Sequence, residues 1–104
     1  MNRIEILKGF LDRDPKDSFS RYALALEYMK AGQSGDARRE FETVRDNDPG
    51  YVATYFQLGQ LYRTMGLKHE SEKTFRTGIT AAAKAGDEHT KSELEGALEV
   101  LLGE

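Results

Sequence analysis

Cysteine is absent from the chain, which excludes disulfides, thiol nucleophiles and thiolate-held metals together. No apolar run approaches the roughly 20 residues that a bilayer-spanning helix needs. The first residues, Met1-Asn2-Arg3-Ile4-Glu5-Ile6-Leu7-Lys8, interrupt with charge the apolar core that a signal peptide requires. A cytoplasmic setting with no membrane contact is therefore expected. A basic excess is also lacking: the formal net charge is −3, which argues against nucleic acid as a partner. The charge is unevenly placed, with six carboxylates and one lysine from Asp87 onward against a nearly neutral body. Proline occurs only twice, at Pro15 and Pro49, each after an aspartate.

What is present is a period. Displaced by 34 residues, the sequence lays Asp14-Pro15 on Asp48-Pro49, Leu24 on Leu58 and Tyr28 on Tyr62. It also lays Gly32 on Gly66 and Phe41 on Phe75, with Ala25 on Gly59 and Ala37 on Ser71 as conservative matches. A fixed period of this length marks a repeat architecture. Within each unit Leu24, Tyr28 and Ala31 form a helical stripe, and Gly32 suits the left-handed residue that ends a helix. Ser34 is placed to cap the next helix, whose inner face is Ala37, Phe41 and Val44, and Asp48-Pro49 stops it. Small residues at Ala25/Gly59 and Ala37/Ser71 allow the paired helices to approach, with Phe41 and Phe75 filling the space beside them. Gly78 inside a helix costs about 1 kcal/mol against alanine; close packing of another helix would compensate, and a harmless surface glycine is the alternative.

Leu24-Ala25-x-x-Tyr28, Gly32, Ala37, Phe41, Val44 and Pro49, with Leu58-Gly59-x-x-Tyr62, Gly66, Ser71, Phe75 and Gly78, resemble the tetratricopeptide repeat signature. Arg21 stands where the family usually has an aromatic residue, and Tyr55 is the better match in the second copy. The resemblance implies an all-α solenoid of antiparallel helix hairpins in a single domain over 1–104. Repeats over 18–51 and 52–85 are flanked by an N-terminal half-repeat helix (2–13) and a capping helix (87–102), six helices in all. Asn2 with Glu5 and Asp87 are the expected caps of the flanking helices. Leu7 and Phe10 should bury one flank, and Leu94, Leu98, Leu101 and Leu102 the other. Glu95, at the register of Ala25 and Gly59, keeps a further helix from docking closely.

Candidate chemistry dissolves on inspection. His69-Glu70-Ser71-Glu72-Lys73 begins like a zinc-protease helix, but Lys73 replaces the second histidine. Asp12-Arg13-Asp14 and Asp46-Asn47-Asp48 lack the glycine and glutamate of a calcium loop. No catalytic residue, metal ligand or cofactor site is expected, and a hydrolase or metal-binding role has no constellation behind it.

One helix is apolar on two sides. At 100° per residue Phe19, Tyr22, Leu26 and Met29 fall opposite Leu24 and Tyr28, a side that is either covered at Phe19, Tyr22 and Leu26 by neighbouring helices or left exposed for use. In the family the corresponding face lines a concave groove that takes a peptide or helix of a partner protein. The resemblance thus implies a non-catalytic interaction scaffold, with Phe19, Tyr22, Leu26, Met29 and Lys30 from one repeat and Phe56, Gln57, Gln60 and Arg63 from the next as the binding residues. Tyr22, Leu26, Phe56 and Gln57 stand where chaperone-tail clamps carry lysine and asparagine, so an apolar protein segment is the expected partner. The alternative is self-association of an otherwise monomeric chain into a homodimer through Phe19, Tyr22 and Met29.

Overall fold

The computed structural model describes residues 1–104 and contains six helices and no strand. The helices are α1 (Arg3–Arg13), α2 (Ser18–Lys30), α3 (Ser34–Asn47), α4 (Ala53–Thr64), α5 (Lys68–Ala85) and α6 (Glu88–Leu102). They fall into two compact units, Met1–Asp48 and Pro49–Glu104.

In the first unit α1 and α3 both pack on α2. Asn2 Oδ1 accepts the Glu5 backbone N–H at 2.9 Å and starts α1, which ends at Asp14, just before Pro15. Leu7 is buried as expected, but Phe10 is 46% exposed and Leu11 is buried instead. A helix packed on one neighbour buries a narrow stripe, and Leu7 and Leu11, four residues apart, fill it. Asp17 caps α2 by accepting the backbone N–H of Ser20 at 3.1 Å and its hydroxyl at 2.5 Å. The hairpin corner is Gly32, at φ +76°. Ser34 does not cap α3: Gln33 occupies that place and makes no side-chain capping bond, so Ser34 is already the first helical residue. Ala37, Phe41 and Val44 are buried, as their spacing predicts.

Arg21, the residue that departs from the family pattern, proves equivalent to an aromatic in one respect. Its guanidinium donates to the Pro15 carbonyl at 2.9 Å and to Glu40 at 2.7 Å. One period later the Tyr55 hydroxyl donates to the Pro49 carbonyl at 2.5 Å. Both side chains tie the start of their hairpin to the carbonyl of the preceding proline.

In the second unit α4, α5 and α6 pack on one another. Gly59 faces the Phe75 ring so closely that a methyl group there would overlap it. Its carbonyl accepts the buried Ser71 hydroxyl at 2.7 Å. Gly78 lies under two helices at once, where an added Cβ would fall 2.5 Å from Tyr55 Cβ and 3.0 Å from Leu94 Cδ1. Its cost in helix propensity is offset by close packing, as the sequence suggests. α5 runs on to Ala85 and ends in a left-handed Gly86; Asp87 then caps α6 through the Thr90 backbone N–H at 3.0 Å. Leu94, Leu98 and Leu101 join Tyr55, Phe75 and Ala82 in one core cluster. Leu102 is 49% exposed. It follows Leu101 by 100°, which turns it off the face that meets α5.

Candidate functional site

The first unit places its five expected binding residues on α2 with different degrees of cover. Phe19 stands out at 69% exposure. Tyr22 is half-buried, its ring edge-on to the Phe41 ring with centroids 5.8 Å apart, so part of it belongs to the core. Leu26, Met29 and Lys30 are brought together with Arg3, Ala23 and Glu27 around a shallow hollow of about 400 Å³. Glu27 holds the Arg3 guanidinium at 2.9 Å and the Lys30 ammonium at 3.4 Å. Lys30 therefore already faces a carboxylate of its own chain.

The second unit brings three of its four expected residues together. Phe56, Gln60 and Arg63 line a hollow of about 310 Å³ whose opposite wall is Glu93, Gly96, Ala97 and Val100 of α6. Phe56 is half-buried and packs on the core cluster. Gln57 is half-buried and does not line this hollow. Arg63 also has an internal partner, since its Nε donates to Glu104 Oε1 at 2.6 Å. That bond holds the Glu104 carboxyl below the usual carboxylate range and pushes the Arg63 guanidinium up. Lys68 Nζ adds a bond to the Glu104 carbonyl at 3.2 Å.

The α6 wall is the part that the sequence reading leaves out. Ala97 flanks the Leu94-Leu98-Leu101 stripe and packs on the core cluster, and Val100, three residues on, turns further out beside Gly96. That second apolar facet is the signal that could have found them. Outside these hollows the shifted carboxylates are helix caps. Asp17 is lowered first by the Ser20 hydroxyl, and Asp87 first by the Thr90 backbone N–H. No three histidine, aspartate or glutamate side chains gather in a way that could hold a metal ion, and no helix is long and apolar enough to cross a membrane.

Paired helices, left-handed glycines at Gly32, Gly66 and Gly86, and glycines at the close contacts of positions 59 and 78 define an all-helical repeat protein. A sequence model of the tetratricopeptide repeat matches residues 52–84. The solution structure of a tetratricopeptide repeat domain protein from Salinibacter ruber shares 38% identity, covering 86% of this chain and 91% of that one at a TM-score of 0.83. A TPR repeat-containing protein of Pseudomonas aeruginosa is 25% identical over 91 residues, 88% of this chain and 87% of that protein. The chain belongs to the tetratricopeptide repeat family. The structure of PcrH in complex with the chaperone binding region of PopD matches at a TM-score of 0.88 over 96% of this chain and 76% of that one. At 16% identity that last likeness is one of fold.

Proposed function

We propose that this chain is a non-catalytic scaffold that holds a segment of another polypeptide, and that the hollow between α4 and α6 receives an apolar side chain of that segment. The observation that carries the reading is the hollow's composition. Phe56, Ala97 and Val100 form an apolar wall, while Gln60, Arg63 and Glu93 supply polar groups of both signs, the mixture by which peptide-binding surfaces combine affinity with orientation. Exposed Phe19 on α2 offers the first unit a separate apolar contact. PcrH, which carries the same fold, holds a region of PopD; that analogy supports the class of ligand and leaves its sequence open.

Exposed positions make the cleanest test, because Tyr22 and Phe56 are partly core and charging them would disturb folding as well as binding. Val100 is 58% exposed and Phe19 69%. A protein captured by the immobilised chain and then purified should bind Val100→Glu at least tenfold more weakly, since the new carboxylate must be desolvated beside Glu93 while Arg63 is already held by Glu104. Lys73→Glu, on the exposed side of α5, should bind as the parent does, and the melting temperatures of all three should agree within a few degrees. Equal capture by parent and Val100→Glu would remove the α4/α6 hollow from the binding surface. The exposure of Phe19 also favours a second reading, a symmetric homodimer seam through Phe19, Tyr22 and Met29. Phe19→Glu would abolish such a dimer.

A further inference from the structure

The 34-residue period sets α1 at the register of α3 and α5, so that Arg3, Leu7 and Phe10 correspond to Ser71, Phe75 and Gly78. An offset of 36 residues sets α6 at the register of α4, so that Lys91, Leu94, Glu95 and Leu98 correspond to Tyr55, Leu58, Gly59 and Tyr62. In the α4–α5 hairpin these positions meet. The Ser71 hydroxyl bonds the Gly59 carbonyl at 2.7 Å, Phe75 covers Gly59, and Gly78 lies against Tyr55. On α1 and α6 the two small residues of that contact are replaced by opposite charges, Arg3 and Glu95. Both are exposed, the Arg3 side chain by 70%. Phe10 is 46% exposed, whereas Val44 at the same register is 1% exposed.

We propose that α1 of one copy docks on α6 of a second copy, repeating between molecules the helix pairing that α4 and α5 make within one. Arg3 then meets Glu95, and Phe10 lies against Lys91, whose stem and ammonium suit an aromatic face. The charge of the two helices agrees with this pairing. α1 carries Arg3, Lys8 and Arg13 against Glu5 and Asp12, while α6 carries Glu88, Glu93, Glu95 and Glu99 against Lys91. The same glutamate that keeps an ordinary helix away selects this one. Leu7, already buried in its own chain, falls at the register where Phe75 covers Gly59, so the two helices stand further apart than α4 and α5 do, and Arg3 supplies the Glu95 carboxylate with a planar, multiple donor. Arg3 can turn to a new carboxylate without orphaning Glu27, because Lys30 also contacts that residue. The two surfaces differ, so the contact is heterologous and leaves one free copy of each after every addition.

Sedimentation equilibrium over a concentration series tests the pairing. The weight-average mass of the wild-type chain should climb past that of two copies as concentration rises, and fall back as salt screens the ion pair. Arg3→Glu and Glu95→Arg should each weaken association at least tenfold. An equimolar mixture of the two variants should associate again, as should the doubly reversed chain. Glu95→Arg added to wild-type protein should shorten the assemblies, because it presents a compatible α1 and a repelling α6. Should Arg3→Glu disturb α1 through Glu27, as circular dichroism would reveal, the Glu95→Arg titration carries the test alone. A wild-type chain that stays a single copy at about 1 mM, the weak end of useful affinity, overturns the proposal. A mass that stops at two copies and ignores both charge reversals overturns it too, and points to the symmetric seam instead.

Discussion

Single glycines decide packing here in opposite directions. In an unobstructed helix, alanine in place of glycine stabilises by about 0.5–1 kcal/mol. Gly9 in α1 has nothing within 4 Å of an added Cβ, so Gly9→Ala should follow that rule. Gly59 and Gly78 should reverse it, because the added methyl meets the Phe75 ring in one case and Tyr55 with Leu94 in the other. Overpacking of this kind costs about 1–3 kcal/mol. Urea unfolding of the three variants would give the signs directly, and a stabilised Gly59→Ala would mean that α4 and α5 have slack between them. The close contact at Gly59 was legible because the period sets small residues beside Phe41 and Phe75, and that at Gly78 because a glycine inside a helix calls for a packing reason. The bond from Arg21 to Pro15 was not legible, since an arginine gives no indication of which carbonyl it will reach.

At the scale of the helix, the caps and the last element carry separable parts of the stability. Leu94, Leu98 and Leu101 are almost fully buried against the Tyr55-Phe75-Ala82 cluster, at roughly 1.5–3 kcal/mol each. A chain ending at Ala85 would expose that cluster and should aggregate or lose its cooperative melt, which light scattering during heating would detect. Asp17 and Asp87 are both held below their ordinary value of 3.8 by the bonds they accept. A carboxylate depressed in the folded state contributes stability that is complete above its unfolded pKa and is lost as pH falls through the folded one. The melting temperature should therefore hold from neutrality to about pH 5 and drop below about pH 4. Asp17→Asn with Asp87→Asn should flatten that drop, since asparagine caps without titrating. Helix number and hairpin corners followed from the sequence because glycine and proline punctuate it. Phe10 and Leu102 were misplaced because periodicity gives a face and does not say how wide a stripe one neighbouring helix will cover.

Across the whole molecule the repeat is plain in the sequence, and the binding surface much less so. Three of the expected residues on α4 do converge, yet their opposite wall comes from α6, a helix whose leucines suggested only a cover. Which carboxylate an exposed cation meets is a tertiary fact as well: Arg63 finds Glu104, which lies 41 residues away in sequence.

The buried tyrosines have a consequence of another kind. The chain has no tryptophan and five tyrosines, of which Tyr28, Tyr55 and Tyr62 are less than 10% exposed. Its absorbance and ellipticity between 270 and 290 nm therefore come from phenols alone, most of them fixed in a chiral interior. One of these phenols lies in the first unit and two in the second. The molecule thus carries its own optical gauge of side-chain order, distinct from the far-ultraviolet signal of its helices, with no indole to obscure it.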